Sequence, residues 1–309
     1  MKKIDLGRFE ALCEARHVFP HGIVIRRDGE TLADKRYAED APHELNSVTK
    51  CVTSLAAGIA QAEGCLSLDD RVGSFFPEYD DMDPLAASAK VRHFLMMAAG
   101  RSAFLPDAHM PNADVDDWVR DYLRQKRDRE PGTFFVYESA ATNTVSAILQ
   151  KATGRPLPDY VQEKLFDPMQ IPRPRWDRMS NGVPMGGAGL HLRTGDLAKI
   201  GDLLLAGGRY GGVQLVPETY VRTASSNLIR TDNLPRIKDN SCGYGLALWQ
   251  NSTEGYRADG YNGQFVIVLE RLRAVITMTS YTPGYMDVKQ QLALDTIWDS
   301  LYVQLQETL

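Results

Sequence analysis

Asn46-Ser47-Val48-Thr49-Lys50-Cys51-Val52-Thr53-Ser54-Leu55 is the most informative stretch of this 309-residue chain. Ser47 to Lys50 forms an S-x-x-K pattern, which chance alone supplies about once in a chain of this length. The ordinary explanation is a serine capping a helix ahead of a solvated lysine. The residues that follow argue otherwise. No charged residue occurs from Cys51 to Ala62, and Cys51, Val52, Leu55, Ala56, Ile59 and Ala60 leave little polar face. A helix apolar nearly all round is buried, so residues 47–63 are expected to form a buried helix ending at Gly64. Lys50 then stands at the mouth of a core, where a lysine is almost never found without a partner. Positions i and i+3 share a helix face. Ser47 and Lys50 therefore meet where the free N–H groups of a helix start favour an alkoxide or oxyanion.

That pairing has a chemical use. A serine hydroxyl is inert without a base, and a lysine of ordinary pKa, ~10.4, is protonated at neutrality. Burial or a nearby cation must lower it by roughly 3 units, about 4 kcal/mol, before it can take a proton. Ser–Lys pairs are one of the established ways to activate a nucleophile. Ser47 is thus the candidate nucleophile and Lys50 the candidate base.

Two further clusters lie downstream. Pro131-Gly132-Thr133-Phe134-Phe135-Val136-Tyr137-Glu138-Ser139 leads into a helix expected over 139–153 and stopped by Gly154. A tyrosine is most often a core residue. Here a Pro-Gly turn and the following helix start suit a phenol delivered to a cleft edge, with Ser139 beside it. The last cluster, Tyr256-Arg257-Ala258-Asp259-Gly260-Tyr261-Asn262-Gly263-Gln264, precedes an apolar strand. Glycines at a strand entrance let a ligand approach the backbone. A backbone N–H there could join that of Ser47 in an oxyanion hole; a plain hairpin turn is the alternative.

Around these clusters the pattern reads as a helix over 4–16, a strand from His21, an Asp28-Gly29 turn and a return strand over 31–37. A mainly helical middle follows. Gly186-Gly187-Ala188-Gly189-Leu190 reads as a loop before a helix opened by Thr194 or Asp196. The end reads as strands over 243–249, 264–269 and 275–281, then a helix over 286–305. Turn-sized connections make the late strands antiparallel. The expected fold is α+β: an antiparallel sheet flanked by helices with an inserted, mainly helical lobe. The expected domains are 1–68 with 185–309 for the sheet and 69–184 for the lobe, with the active site in the cleft between them.

Composition fits an ordinary globular protein, 43% hydrophobic and 24% charged. A net charge of −5 argues against a dedicated nucleic-acid binder. Two lysines follow Met1 without the apolar run of a secretory signal, and no window reaches a membrane span of roughly 18 apolar residues. The four cysteines, Cys13, Cys51, Cys65 and Cys242, have no C-x-x-C spacing and are expected as free thiols in a cytoplasmic protein. There is no G-x-S-x-G, no H-E-x-x-H, no P-loop and no complete G-x-G-x-x-G. His17, His21, His43, His93, His109 and His191 make no metal spacing, so no metal or cofactor is expected.

The ordered blocks resemble the serine β-lactamase and penicillin-binding-protein-like superfamily, and within it the class C-like branch. That branch includes esterases and amide hydrolases such as aminohexanoate-oligomer hydrolases. The resemblance runs from about residue 18 to 305. It rests on the Ser47 helix, Gly64-Cys65-Leu66-Ser67-Leu68-Asp69-Asp70-Arg71-Val72 with Phe76-Pro77, Pro131 to Gly154, and Gly186 to Ala198. The resemblance implies acylation of Ser47, deprotonation by Lys50 and a proton relay through Tyr137. Ser139 would stand where many relatives carry asparagine, as is more familiar among esterase and amidase members. The family's Lys-Thr-Gly triplet is replaced by Ala258-Asp259-Gly260, which makes Tyr261 the donor of the second oxyanion N–H, or Gln264 in another register. Gly260, Asn262 and Gln264 would line the substrate with Ser139. No lysine is left there to hold the carboxylate of a β-lactam or peptide. Met96-Met97-Ala98-Ala99-Gly100 replaces a more polar family loop. The implied substrate is a small-molecule ester, amide or β-lactam. A catalytically weak sensor or binding protein on the same scaffold is the alternative that the altered triplet raises. Loops 101–114 and 225–240 are expected to shape the cleft.

Overall fold

The computed structural model describes residues 3–104, 116–234, 238–282 and 287–307. The early strands are β1 (Pro20–Arg27) and β2 (Glu30–Arg36). Two short ribbons pair β3 (His43–Glu44) with β4 (His191–Leu192), and β5 (Arg209–Tyr210) with β6 (Val213–Gln214). The late strands are β7 (Trp249–Gln250), β8 (Tyr256–Gly260), β9 (Gln264–Leu269) and β10 (Ala274–Ser280). Early and late strands form one antiparallel six-stranded sheet in the order β2-β1-β10-β9-β8-β7. The first hairpin closes against the last strand, with Ile25 opposite Ile276.

Both faces of the central strands are covered, which explains why β9 carries an unbroken apolar run over 265–269 rather than an alternating one. One face, with Ile23, Ile25, Phe265, Ile267, Ile276 and Met278, packs on α1 (Gly7–Arg16) and on α10 (Asp287–Ile297), a π turn (Trp298–Tyr302) and α11 (Val303–Glu307). The other face, with Val266 and Val268, joins a larger core containing α2 (Thr49–Ala62) and α8 (Thr194–Leu205). Residues 69–184 contribute α3 (Pro84–Ser88), α4 (Val91–Leu95), α5 (Trp118–Arg124), α6 (Ser139–Thr153) and α7 (Leu157–Val161); α9 (Glu218–Ala224) follows α8. The proposed division into 1–68 with 185–309 and 69–184 follows this distribution. Among the described residues no helix is long and apolar enough to cross a membrane, and all four cysteines are free.

The sequence reading needs correction at three elements. The strand expected over 243–249 shrinks to Trp249–Gln250, because Gly243 and Ala247 have φ of 115° and 62° and bend the segment. Tyr256–Gly260, read only as a motif, is instead a full strand paired with β9. The first helix begins at Gly7 rather than residue 4, since the Ile4 N–H bonds to the Leu32 carbonyl and the Asp5 carboxylate caps the Gly7 N–H. Of the helix expected over 286–305, Met286 lies outside the described residues, as do His109 and parts of the two loops expected at the cleft.

Candidate active site

The nucleophile candidate sits on a strained start. Asn46 has φ of 48°, a left-handed conformation that asparagine tolerates better than most residues. It opens a 3₁₀ turn, Asn46–Val48, that feeds directly into α2. The Asn46 side chain donates to the Tyr261 carbonyl at 3.1 Å, tying this turn to the β8–β9 connection. Ser47 is half-buried at the head of the helix, where backbone N–H groups precede the first α-helical bond.

Lys50 is 1% exposed. Its Nζ is 2.8 Å from Ser47 Oγ, 3.1 Å from Ser139 Oγ and 2.6 Å from the Gly187 carbonyl. Burial pulls its pKa down to about 7, opposed by the negative field of Asp259. Ser47 is also hydrogen-bonded to the hydroxyl of Tyr137, and Lys50 Nζ lies 5.1 Å from that ring's centre. Burial and the Asp259 carboxylate push the Tyr137 phenol well above its ordinary value. An amine that sheds its proton near neutrality and a phenol that keeps one thus flank a single hydroxyl.

Each group is held by its own packing. The Tyr137 ring stacks on Trp249 at 5.4 Å and meets Tyr244 edge-on, while Trp249 and Tyr244 are 4.7 Å apart. Next in chain, Glu138 is buried, accepts from the Tyr122 hydroxyl at 2.8 Å and faces Arg101 at 3.3 Å. Behind Lys50, the Gly187 N–H donates to Asn143 Oδ1 at 2.7 Å, and Thr53 Oγ1 donates to the Gly186 carbonyl at 2.8 Å. Both glycines are packed so closely on α6 that a β-carbon would press on the Thr142 carbonyl or on Ser139. This explains the glycine block: it delivers the Gly187 carbonyl to the lysine.

The β8 end completes the arrangement. A β-carbon on Gly260 would fall inside the Leu45 carbonyl oxygen and within 3.1 Å of Ser47 N. The strand end therefore lies directly on the start of the nucleophile helix. Tyr261 is 47% exposed at the turn, and Asn262 follows with φ of 67°. Gln264 does not face the cleft. Its amide is 2% exposed and hydrogen-bonds both backbone groups of Ser280, joining β9 to β10. Asn46, Thr53, Asn143, Glu138 and Arg257 take part in holding the site without having been singled out in the sequence. Asn143 was the most findable, one helical turn after Ser139 and so on the same face of the helix. Among the described residues no cluster of three or more His, Cys, Asp or Glu could hold a metal ion.

A family model described as Beta-lactamase matches residues 15–296. Esterase EstB of Burkholderia gladioli is 27% identical over 169 residues, covering 48% of this chain and 43% of the esterase, so the match spans less than half of that relative. Among solved structures, a candidate 6-aminohexanoate-dimer hydrolase of Bacillus anthracis superposes with a TM-score of 0.78 at 19% identity, covering 96% of this chain and 82% of the other. An octameric penicillin-binding protein homologue of Pyrococcus abyssi gives 0.73 at 18%, covering 96% and 78%.

Proposed function

We propose, from the premise that the chain belongs to the beta-lactamase family, that it is a serine hydrolase cleaving a small-molecule ester or amide through an acyl-enzyme on Ser47. The observation that carries the proposal is the buried Lys50 amine, 2.8 Å from Ser47 Oγ with its pKa lowered to about 7. The neutral amine takes the Ser47 proton as Oγ attacks the substrate carbonyl. The N–H groups of Ser47 and Tyr261 receive the developing oxyanion. Tyr137, held as a phenol, passes a proton to the leaving group and is reprotonated by the Lys50 ammonium, which carries the proton taken from Ser47. Water then attacks the acyl-enzyme with the same groups in reverse roles. The esterase relative supports an ester substrate, and β-lactam hydrolysis remains within reach of this chemistry.

An acylating probe tests the reading. Mass spectrometry should place one adduct on the peptide containing Ser47, and a p-nitrophenyl ester should be turned over. A protein that is neither labelled nor active would instead fit a binding or sensor role, the reading that the Ala258-Asp259-Gly260 triplet raised.

Two kinetic outcomes follow from the geometry. Because Lys50 works only when neutral, kcat/KM should fall as pH drops through about 7 and level off above it. An acid limb below pH 5, the range of a carboxylate, would exclude the lysine as base. Tyr137→Phe keeps the stacking on Trp249 but removes the hydroxyl, and should cost about 10²-fold in kcat, within the usual range for an acid–base group. Unchanged pre-steady-state acylation and deacylation rates would reduce this ring to scaffold.

A further inference from the structure

We propose that Asp259 sets the charge class of the substrate, favouring uncharged or cationic acyl groups over anionic ones; this rests on the hydrolase reading above. Asp259 and Arg257 lie on the same face of β8, two residues apart, and Asp259 is the nearer to Gly260 and so to Ser47. Asp259 is 7% exposed, and its Oδ2 accepts from Arg257 Nε and from Gln290 Nε2, each at 2.9 Å. The guanidinium is fully buried and committed to other partners. Its Nη1 donates to the carbonyls of Asp239 and Gln250 and to Asn251 Oδ1, and its Nη2 to Asn240 Oδ1. Every nitrogen of Arg257 is therefore engaged, and none is offered to a substrate carboxylate.

The pair is an oriented dipole with its negative end toward the reacting groups. Burial raises the Asp259 carboxyl above its ordinary value against the opposing pull of Arg257 and Gln290, and the 2.9 Å ion pair with Arg257 is what favours the carboxylate form. A buried guanidinium needs that counter-charge, since uncovering one member of a buried pair is costly. The direction of the field is visible in its effects. Asp259 raises the pKa of Lys50, and its influence on Tyr137 and on Tyr244 outweighs the opposing one of Arg257. The buried Arg101 faces Glu138, the residue after Tyr137. A substrate carboxylate entering beside Ser47 would thus meet this negative charge, and among the described residues the cationic group that touches Ser47 is Lys50, which must be neutral to act as base.

The test compares three p-nitrophenyl esters of equal acyl length ending in methyl, trimethylammonium or carboxylate. High salt screens the protein's net charge, which acts through solvent, far more than a buried carboxylate. The wild type should hydrolyse the methyl and trimethylammonium esters with kcat/KM at least about tenfold above the carboxylate ester, the scale of a unit-charge interaction in partly screened protein. Asp259→Asn, which keeps an acceptor for Arg257, should shrink that ratio to within about threefold. If that variant does not fold, Gln290→Lys, on the partly exposed side of the pair, should shrink it in the same direction. Equal rates for methyl and carboxylate esters in the wild type, or an unchanged ratio in a folded variant, would overturn the inference while leaving the hydrolase standing. No turnover of any ester would sink both.

Discussion

Replacing Lys50 with methionine is expected to leave a folded protein that has lost about 10³-fold or more of its kcat/KM on a neutral ester. Methionine fills nearly the same volume, and the site is buried, so packing in α2 survives the exchange. Two effects on stability oppose each other. The hydrogen bonds to Ser139 Oγ and the Gly187 carbonyl are lost, but so is the cost of burying an ionisable amine. The chemistry has no such compensation. Tyr137 cannot take over as base, because burial and Asp259 hold its phenol protonated far above neutral pH. Ser47 is left with a neighbour that can donate and none that can accept at pH 7. Steady-state kinetics and a thermal melt decide the matter together. The residual activity should also lose the inflection near pH 7 that marks the amine. Near-wild-type turnover in a folded Lys50→Met protein would end the base assignment.

The physics of the nucleophile helix was open to reading because it depends on local composition. An uncharged run from Cys51 to Ala62 can only be buried, and burial of its first turn drags Lys50 with it. The helix from Ser139 to Thr153 was equally legible, since Gly154 stops it in a left-handed conformation. Strand positions near the site were harder. Tyr256–Gly260 carries arginine and aspartate, which suggest a solvated turn, yet both side chains are buried because they satisfy each other and the segments around them. The segment 243–249 has the reverse character: it is apolar enough for a strand, but the backbone at Gly243 and Ala247 bends it away from the sheet. Gln264 illustrates the same limit on a single side chain. Its position beside the motif suggested a substrate contact, whereas its amide completes the edge bonding of Ser280. Long-range partners of this kind leave no periodic trace in the chain.

Gly260→Ala should lower kcat by about 10²–10³-fold with a smaller change in KM, the cost of misplacing an oxyanion donor. The added methyl group has no room. It would collide with the Leu45 carbonyl oxygen and crowd the backbone nitrogens of Ser47 and Val48, at 3.1 and 3.2 Å. None of these atoms can yield easily. Leu45 is fully buried with its N–H bonded to the Leu190 carbonyl, and Asn46 is clamped to the Tyr261 carbonyl. On the other side, Gly260 is paired with Gln264 at the end of β8. The strand end and the helix start must therefore separate, and with them the N–H groups of Tyr261 and Ser47 proposed to share the oxyanion. Overpacking of this kind also costs roughly 1–3 kcal/mol of stability, so a thermal melt accompanies the kinetics. The pH profile provides the internal control. Lys50 keeps its contacts to Ser47, Ser139 and Gly187, none of which involves Gly260, so the acid limb should stay near pH 7 while its plateau drops. A limb that moved with the plateau would mean that the substitution had disturbed the base. Full activity in the alanine variant would mean that the oxyanion is received elsewhere.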